Sequence, residues 1–290
     1  MWEDLRDAVA RLPSFSALER RLGNGTPVPV GGLTGSARSL VLAALLPRIG
    51  RPAVVIASDP VRARDVAEDL ACFGLDRVVL YPEDETLPYD YHDPDRNLTG
   101  MQMAALGALV SGRCGVLVCT LRSLLKKIFP PAVFRSLLFD IERGGALDPY
   151  ELAERLVRLG YERHQIVEGK GQFALRGGIL DLFEVTADLP ARLEFDGDEI
   201  VSMRDFDIET QRSTSDRRLL RVHPLHHLVP DAEGIERLRA FLAGEAGGLP
   251  SQDRGRALLP AERIEGGIHF FGMEHYAAAV HDVVPVTAYF

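Results

Sequence analysis

The chain has 290 residues, 46% of them hydrophobic, and a formal net charge of −9 at pH 7. This length and composition predict a globular protein with one large core or two to three smaller ones. Affinity for nucleic acid comes largely from Lys and Arg that neutralise phosphates, so the negative charge argues against a chain that mainly grips nucleic acid. The start is acidic and no apolar run approaches the ~20 residues that span a bilayer, so we expect a cytoplasmic protein without membrane contact.

A loop near the N-terminus resembles a phosphate-binding motif. It is formed by Gly32, Leu33, Thr34, Gly35, Ser36, Ala37, Arg38 and Ser39. The working motif, G-x-x-x-x-G-K-[ST], needs its second Gly for a close backbone approach to the phosphates and its Lys for the β and γ oxygens. Ala37 replaces that Gly and Arg38 replaces that Lys, so we interpret the loop as a degenerate nucleotide site. A chance Gly-rich turn is the alternative.

The first half of the chain alternates strand and helix patterns. Strands are predicted at residues 28–30, 53–57, 78–80 and 115–119. Helices are predicted at residues 38–49, 60–72, 98–110 and 121–128, the second of them capped by Asp59 ahead of Pro60. This alternation predicts an α/β fold, a parallel sheet with helices on both faces, which ends with a strand near residues 133–140.

Three features could indicate a metal or a reactive thiol. Asp140 follows an apolar run and could be a Mg²⁺-holding acid, but such an Asp is common where a chain leaves a sheet and no second acid follows directly. The cysteines form no C-x-x-C pair and are interpreted as buried free thiols; they are Cys72, Cys114 and Cys119. The run His223-Pro224-Leu225-His226-His227 has no partner at ligand spacing and is interpreted as a polar connector. We predict no metal and no cofactor.

The pattern changes after residue 148. Asp148 and Glu151 resemble a capping box for a helix that runs to about residue 159 and is closed by Gly160. Short alternating strands follow at residues 173–176, 178–183, 192–195 and 200–206. Turn residues separate them, so we predict an inserted antiparallel domain of the α+β type.

Strand alternation predicts which side chains of this insert point outward. They are Ala174, Arg176, Arg192, Glu194 and Asp196. The two arginines could be solvated charges that pair weakly with Glu194 or Glu199. They could instead contact a partner, since Arg is enriched at interface hot spots. Residues 141–222 hold 12 Lys or Arg against 17 Asp or Glu, so the arginines are local positive features of an acidic domain.

Several separated motifs resemble one family. They are Phe173-Ala174-Leu175-Arg176-Gly177-Gly178-Ile179-Leu180-Asp181-Leu182-Phe183, Leu189-Pro190-Ala191-Arg192-Leu193-Glu194-Phe195, Asp198-Glu199-Ile200, Arg204-Asp205-Phe206-Asp207, Gln211-Arg212-Ser213, Glu85-Thr86-Leu87-Pro88-Tyr89-Asp90 and the loop that begins at Gly32. Together they resemble the N-terminal module of bacterial transcription-repair coupling factor (Mfd), over essentially the whole chain. The module is similar to the nucleotide-excision-repair protein UvrB.

The resemblance implies three domains. Residues 1–140 correspond to domain 1A, a RecA-like parallel sheet with the degenerate loop. Residues 141–222 correspond to domain 2, the α+β insert. Residues 223–290 correspond to domain 1B, which we expect to be truncated because the chain ends in an apolar stretch.

The resemblance also implies a recruiting and autoinhibitory module that is not itself an enzyme. In the family, domain 2 recruits UvrA, and later domains of the parent supply ATP-dependent translocation and contact RNA polymerase and double-stranded DNA. The UvrA-contacting arginines fall on Arg176 and Arg192, and an aromatic contact of relatives falls on Asp196. A truncated UvrB-type ATP- and DNA-binding helicase subunit is the alternative, with Ala37 and Arg38 against it. An unrelated P-loop enzyme is a third option.

Overall fold

The computed structural model describes residues 2–23, 25, 27–84, 95–248, 255–268, 270 and 272–290. The motif at residues 85–90 therefore lies outside the described residues. The chain divides into two compact units, Met1–Glu83 with Ala108–Leu125 and Asp84–Gly107 with Lys126–Phe290. Within the described ranges, no helix is both long enough and apolar enough to cross a membrane.

The elements are numbered in chain order. The helices are α1 (Trp2–Ala10), α2 (Pro13–Gly23), α3 (Ala37–Ile49), α4 (Pro60–Cys72), α5 (Arg96–Val110), α6 (Leu121–Leu125), α7 (Pro131–Leu137), α8 (Pro149–Arg158), α9 (Ala232–Ala246), α10 (Leu259–Glu265) and α11 (Ala277–Val280). The strands are β1 (Ala53–Ala57), β2 (Val78–Tyr81), β3 (Val116–Thr120), β4 (Lys127–Ile128), β5 (Phe139–Glu142), β6 (Glu162–Arg163), β7 (Gln172–Arg176), β8 (Ile179–Leu182), β9 (Ala191–Asp196), β10 (Glu199–Phe206), β11 (Ser213–Asp216), β12 (Leu219–Val222) and β13 (Val284–Pro285).

The first unit contains a parallel sheet in the order β1-β3-β2. Strand β3 is central and buried along its whole length, and α3 and α4 contribute Leu46 and Leu70 to the core that also holds Val118. Asp59 begins α4 as predicted, because its side chain accepts a hydrogen bond from the backbone N–H of Arg62 at 2.8 Å. The alternation of strands and helices predicted for residues 53–119 is confirmed.

The strand predicted at residues 28–30 is wrong. These residues precede α3 without joining the parallel sheet. Pro27 and Pro29 flank Val28, and proline has no backbone N–H to donate to a strand ladder. The expected parallel sheet therefore lacks the strand that would lead into the loop, which is the element a RecA-like sheet needs at this place.

Residues 121–142 also differ from the prediction. Helix α6 ends at Leu125, and β4 follows and pairs with β13. Residues 133–137 belong to α7 and not to a strand, because Pro131 occupies the first helical position, where its missing N–H costs nothing. Strand β5 begins only at Phe139 and pairs antiparallel with β12. Asp140 thus lies in a two-stranded ribbon.

The second unit contains a six-stranded sheet in the order β11-β10-β9-β8-β7-β6. Neighbouring strands are antiparallel except β6 and β7, so the four predicted antiparallel strands are confirmed, with edge strands β6 and β11 added to them. Gly177 and Gly197 connect consecutive strands at φ +58° and +59°, a backbone region that side chains with a Cβ disfavour. Helix α8, capped by Asp148, packs against β6 and β7.

The C-terminal part of the second unit has a core of its own. Helices α9, α10 and α11 bury Leu238, Leu242, Ala261, Ile264 and Val280 against one another. Strands β5 and β12 lie at the two ends of the predicted insert and pair with each other. The division at residues 140 and 222 stays a prediction.

One thiol and two histidines are placed differently from expectation. Cys72 is exposed, whereas Cys114 and Cys119 are buried, and burial raises the pKa of the Cys119 thiol to about 11. His223 and His227 are buried and do not form a polar connector. They can be buried because each finds a polar partner: His223 Nδ1 lies 3.1 Å from Glu184 Oε1, and His227 Nε2 lies 2.8 Å from Gln102 Oε1.

Candidate partner-binding face

One face of the six-stranded sheet carries the arginines singled out from the sequence. A row of Cα partners crosses four neighbouring strands, formed by Ala174, Asp181, Arg192 and Arg204. Cross-strand partners share a face, and so do alternate residues of one strand. Arg176, Glu194 and Asp196 therefore lie on the same side as this row. We call this side the outer face.

Both arginines bind one carboxylate on the outer face. Arg192 donates from Nε to Asp181 Oδ1 at 2.6 Å and from Nη2 to Asp181 Oδ2 at 2.9 Å. Arg176 donates from Nη2 to the same Oδ2 at 2.7 Å. Since the two guanidinium groups share an acceptor atom, Arg176 and Arg192 lie within side-chain reach of one another.

The two arginines differ in their burial and in the number of contacts they make within the domain. The Arg192 side chain is 17% exposed; its Nη1 donates to the carbonyl oxygen of Gln211 at 3.1 Å, and its guanidinium lies 4.7 Å from the centre of the Phe206 ring. The bond to Asp181 raises the pKa of Arg192 above its ordinary value. Arg176 is 48% exposed and is held by Asp181 and by the carbonyl oxygen of Gln165 at 2.9 Å. Arg176 is therefore the member that presents most surface to solvent.

Asp181 is the residue that the sequence reasoning missed. The weak surface pairs expected with Glu194 or Glu199 are not the main partners, because the arginines bind Asp181, whose side chain is 0% exposed. A signal was present in the sequence: Asp181 interrupts the apolar run of β8. A carboxylate in such a run is buried only if charged groups pair with it.

Ala174 lies on the outer face as predicted but is not exposed. It packs in a small core with Val167, Phe183 and Phe206. The segment that carries Val167 lies over this part of the sheet, since Val167 packs with Ala174, and Gln211 Nε2 donates to the Val167 carbonyl oxygen at 3.1 Å. The outer face is thus covered near Ala174 and open near Arg176.

Asp196 ends β9 and is exposed beside the turn at Gly197. Its Cα partner is Glu199, so the hairpin tip of the outer face is acidic. Strand alternation places Asp196 on the face of Arg192, as predicted. The structure brings the three sequence-predicted residues onto one surface, with the positive charges anchored and Asp196 at the edge.

The loop at residues 32–39 belongs to the first unit and lines an open cleft of about 880 Å³. Arg38 Nε donates back to the carbonyl oxygen of Leu33 at 3.1 Å, and Ser36 Oγ donates to Asp69 Oδ1 at 3.1 Å. Asp65 and Glu68 line the same cleft. Arg62 also lines the cleft and lies 3.8 Å from Asp65. The carboxylates of the cleft outnumber its guanidinium groups, and that of Arg38 is turned onto the loop's own backbone.

The loop at residues 32–39 turns sharply into α3. Gly32 and Gly35 have φ of +78° and +52°, and α3 begins at Ala37, with Ser39 buried in its first turn. Because the preceding strand is absent, a RecA-like site is not formed here in full. The interpretation of this loop as a degenerate nucleotide site therefore stays a prediction.

Asp140 is not placed as a magnesium ligand. Arg221 Nε donates to Asp140 Oδ1 at 2.7 Å, and Nη2 donates to Oδ2 at 2.6 Å. This bidentate hydrogen bonding lowers the pKa of the Asp140 carboxyl. The residue ties β5 to β12 and is occupied by that pair.

Comparison with protein families gives a match to a family described as the UvrB interaction domain, at residues 139–228. This segment contains the ribbon of β5 and β12, helix α8 and the whole six-stranded sheet. Asp181 and both arginines lie inside it.

Curated relatives match a larger part of the chain. Proteins named transcription-repair-coupling factor are 40% identical over 207 residues in Myxococcus xanthus, 30% over 237 residues in Bacillus subtilis and 33% over 278 residues in Mycobacterium bovis. These alignments cover 69%, 80% and 90% of this chain but only 17%, 20% and 22% of the relatives. The findings confirm the resemblance seen in the sequence, to an N-terminal module of transcription-repair coupling factor.

Proposed function

We propose that this chain is a recruiting module in transcription-coupled nucleotide excision repair and that it docks UvrA through the outer face. The observation that carries the proposal is the pair Arg176 and Arg192, anchored on one buried carboxylate and open to solvent at Arg176. The match to the UvrB interaction domain spans this face. The name of the relatives, transcription-repair-coupling factor, supports a role in transcription-coupled repair.

Anchored arginines suit a docking role for a physical reason. A free surface Arg loses rotamer freedom when it binds, which offsets much of the contact energy. Arg176 is already held from two sides, by Asp181 and by the Gln165 carbonyl, so less of that entropy remains to be lost. Its exposed donors fit a partner carboxylate, because guanidinium and carboxylate form charge-assisted bonds.

The remaining parts of the proposal concern the longer parent protein. We retain the three-domain division, with domain 2 at residues 141–222, and an autoinhibitory role of the module within the parent. RNA polymerase and double-stranded DNA would be contacted by parts of the parent beyond this chain. For the chain itself we propose no catalytic activity, which the charge arrangement of the loop cleft supports.

Calorimetric titration of purified UvrA tests the docking face. Arg176→Ala is expected to weaken binding by about 1 to 3 kcal/mol, as for a charge-assisted interface contact. Arg143→Ala is the matched control, because Arg143 is an Arg of the same match, 40% exposed, with one long ion pair of 3.9 Å to Asp216. Unchanged affinity in folded Arg176→Ala, or equal losses in the two variants, would contradict the assignment.

A further inference from the structure

Asp181 has an unusual charge balance. Its carboxylate is fully buried and accepts three hydrogen bonds from two guanidinium groups. One buried carboxylate therefore serves two guanidinium groups, while Glu194 on the same face acts on Arg192. Arg176 is the less neutralised of the two, because it makes one bond to Asp181, against two from Arg192, and is the more exposed arginine.

A purely structural role explains this cluster poorly. Replacing a buried ion pair by apolar residues of similar size is often neutral or stabilising, so the fold by itself gains little from a charged cluster at this place. Each guanidinium is also fixed at a second point, by the carbonyl oxygens of Gln165 and Gln211. The planes of both guanidinium groups are therefore fixed in the unbound protein.

We infer that Asp181 is a positioning residue of the docking face, holding Arg176 and Arg192 in the orientation that receives a carboxylate of the partner. The inference rests on the proposed docking function and deepens it. Asp181 is buried beneath the arginines and does not itself touch the partner. It acts by fixing the orientation of the arginines.

The sign of the effect of Asp181→Asn separates positioning from simple charge attraction. Removing the carboxylate makes the outer face more positive, so attraction alone would tighten binding to an acidic partner. Loss of orientation would weaken it. We expect UvrA affinity to fall about tenfold in Asp181→Asn, measured by calorimetry on the whole chain.

The effect should also depend on Arg176, because Arg176 is the more exposed of the two arginines that Asp181 positions. In the Arg176→Ala background, Asp181→Asn is expected to lower affinity by less than threefold. Asp181→Glu provides a second variant that keeps the charge and moves the carboxylate by one methylene; it too should weaken binding. Amide hydrogen exchange over residues 172–196 checks that each variant is folded.

Asp205→Asn is the matched control. Asp205 follows Arg204 on β10 and so points to the opposite side of the sheet. It also carries a guanidinium partner, Arg217, at 2.6 Å, so its loss should lower stability without changing UvrA affinity.

Three results would overturn the positioning role. They are tighter or unchanged binding in folded Asp181→Asn and Asp181→Glu, an equal loss with and without Arg176, and an equal loss in Asp205→Asn. If Arg176→Ala itself has no effect, the docking function fails instead, so the two failures are distinguishable.

Discussion

The loop cleft and the outer face both contain arginines and carboxylates, but of these two regions only the outer face has arginines that bind a buried carboxylate. In the cleft, Arg38 is exposed and donates to a backbone carbonyl of its own loop, while Asp65 and Glu68 line the open space. On the outer face, Arg192 is mostly covered and binds a fully buried Asp181 through two atoms. The side chains named in the cleft are exposed, whereas those of Arg192 and Asp181 are largely buried.

The difference shows that burial of the acceptor decides what an arginine does. An exposed carboxylate or carbonyl is solvated by water, so losing its arginine partner costs little. A buried carboxylate has no water to replace the partner and fixes the arginine in one geometry. The guanidinium groups of Arg176 and Arg192 on the outer face are therefore held in a fixed orientation by a buried carboxylate. The guanidinium group of Arg38 in the cleft is not held in this way and faces its own loop.

The largest expected effect is on stability, from the same substitution in the two regions. Arg192→Ala should destabilise the domain by about 3 kcal/mol, because it leaves Asp181 buried with one of its two partners. Arg38→Ala should change stability by less than about 0.5 kcal/mol, as for an exposed side chain. Hydrogen exchange of β7 to β9 and of α3 measures the two effects. Equal changes would break the comparison.

A restored aromatic contact would sharpen the assignment of the outer face. Asp196→Phe adds an apolar anchor at the exposed edge beside the arginines and should tighten UvrA binding by about 1 to 2 kcal/mol. Glu154→Phe, an equivalent change at an exposed position of α8, serves as control. Affinity that rises equally in both variants would indicate nonspecific adhesion.

Salt provides a smaller effect that depends on the docking arginine. Raising the salt concentration from 0.05 to about 0.3 M shortens the Debye length and should weaken UvrA binding several-fold. The decrease should be shallower in Arg176→Ala, because one interfacial charge is gone. Titrations at four salt concentrations measure both slopes. Parallel slopes would mean that Arg176 contributes no charge to the interface.

The smallest expected effect is at the loop. ATP titrated into the chain should show no saturable binding up to about 1 mM, and Ala37→Gly with Arg38→Lys should not restore it, because the preceding strand is missing and carboxylates line the cleft. Isothermal calorimetry provides the measurement. Steady ATP turnover that is abolished by changing Ser39 would contradict the expectation.

Much of the local structure was predictable. The cap at Asp59, the cap at Asp148 and the strands around Gly177 and Gly197 follow from side-chain chemistry within a few residues, so the sequence determined them. Alternation along β7 and β9 likewise placed Arg176, Arg192 and Asp196 on one face. The wrong strand prediction at residues 28–30 also has a local cause. Pro27 and Pro29 argue against a strand, whereas the apolar Val28 and Val30 suggest one.

Only the tertiary structure decided how the site is held together. Asp181 reaches Arg192 across a strand pair and Arg176 across a hairpin, and its burial depends on the packing around it. The burial of Ala174 depends on a segment that returns over the sheet, and that of His227 on Gln102, 125 positions away in the chain. The sequence determined which side chains share a face, because that follows from the period of a strand. Which of them are buried, and whom they bind, follows from contacts between distant segments that no local period encodes.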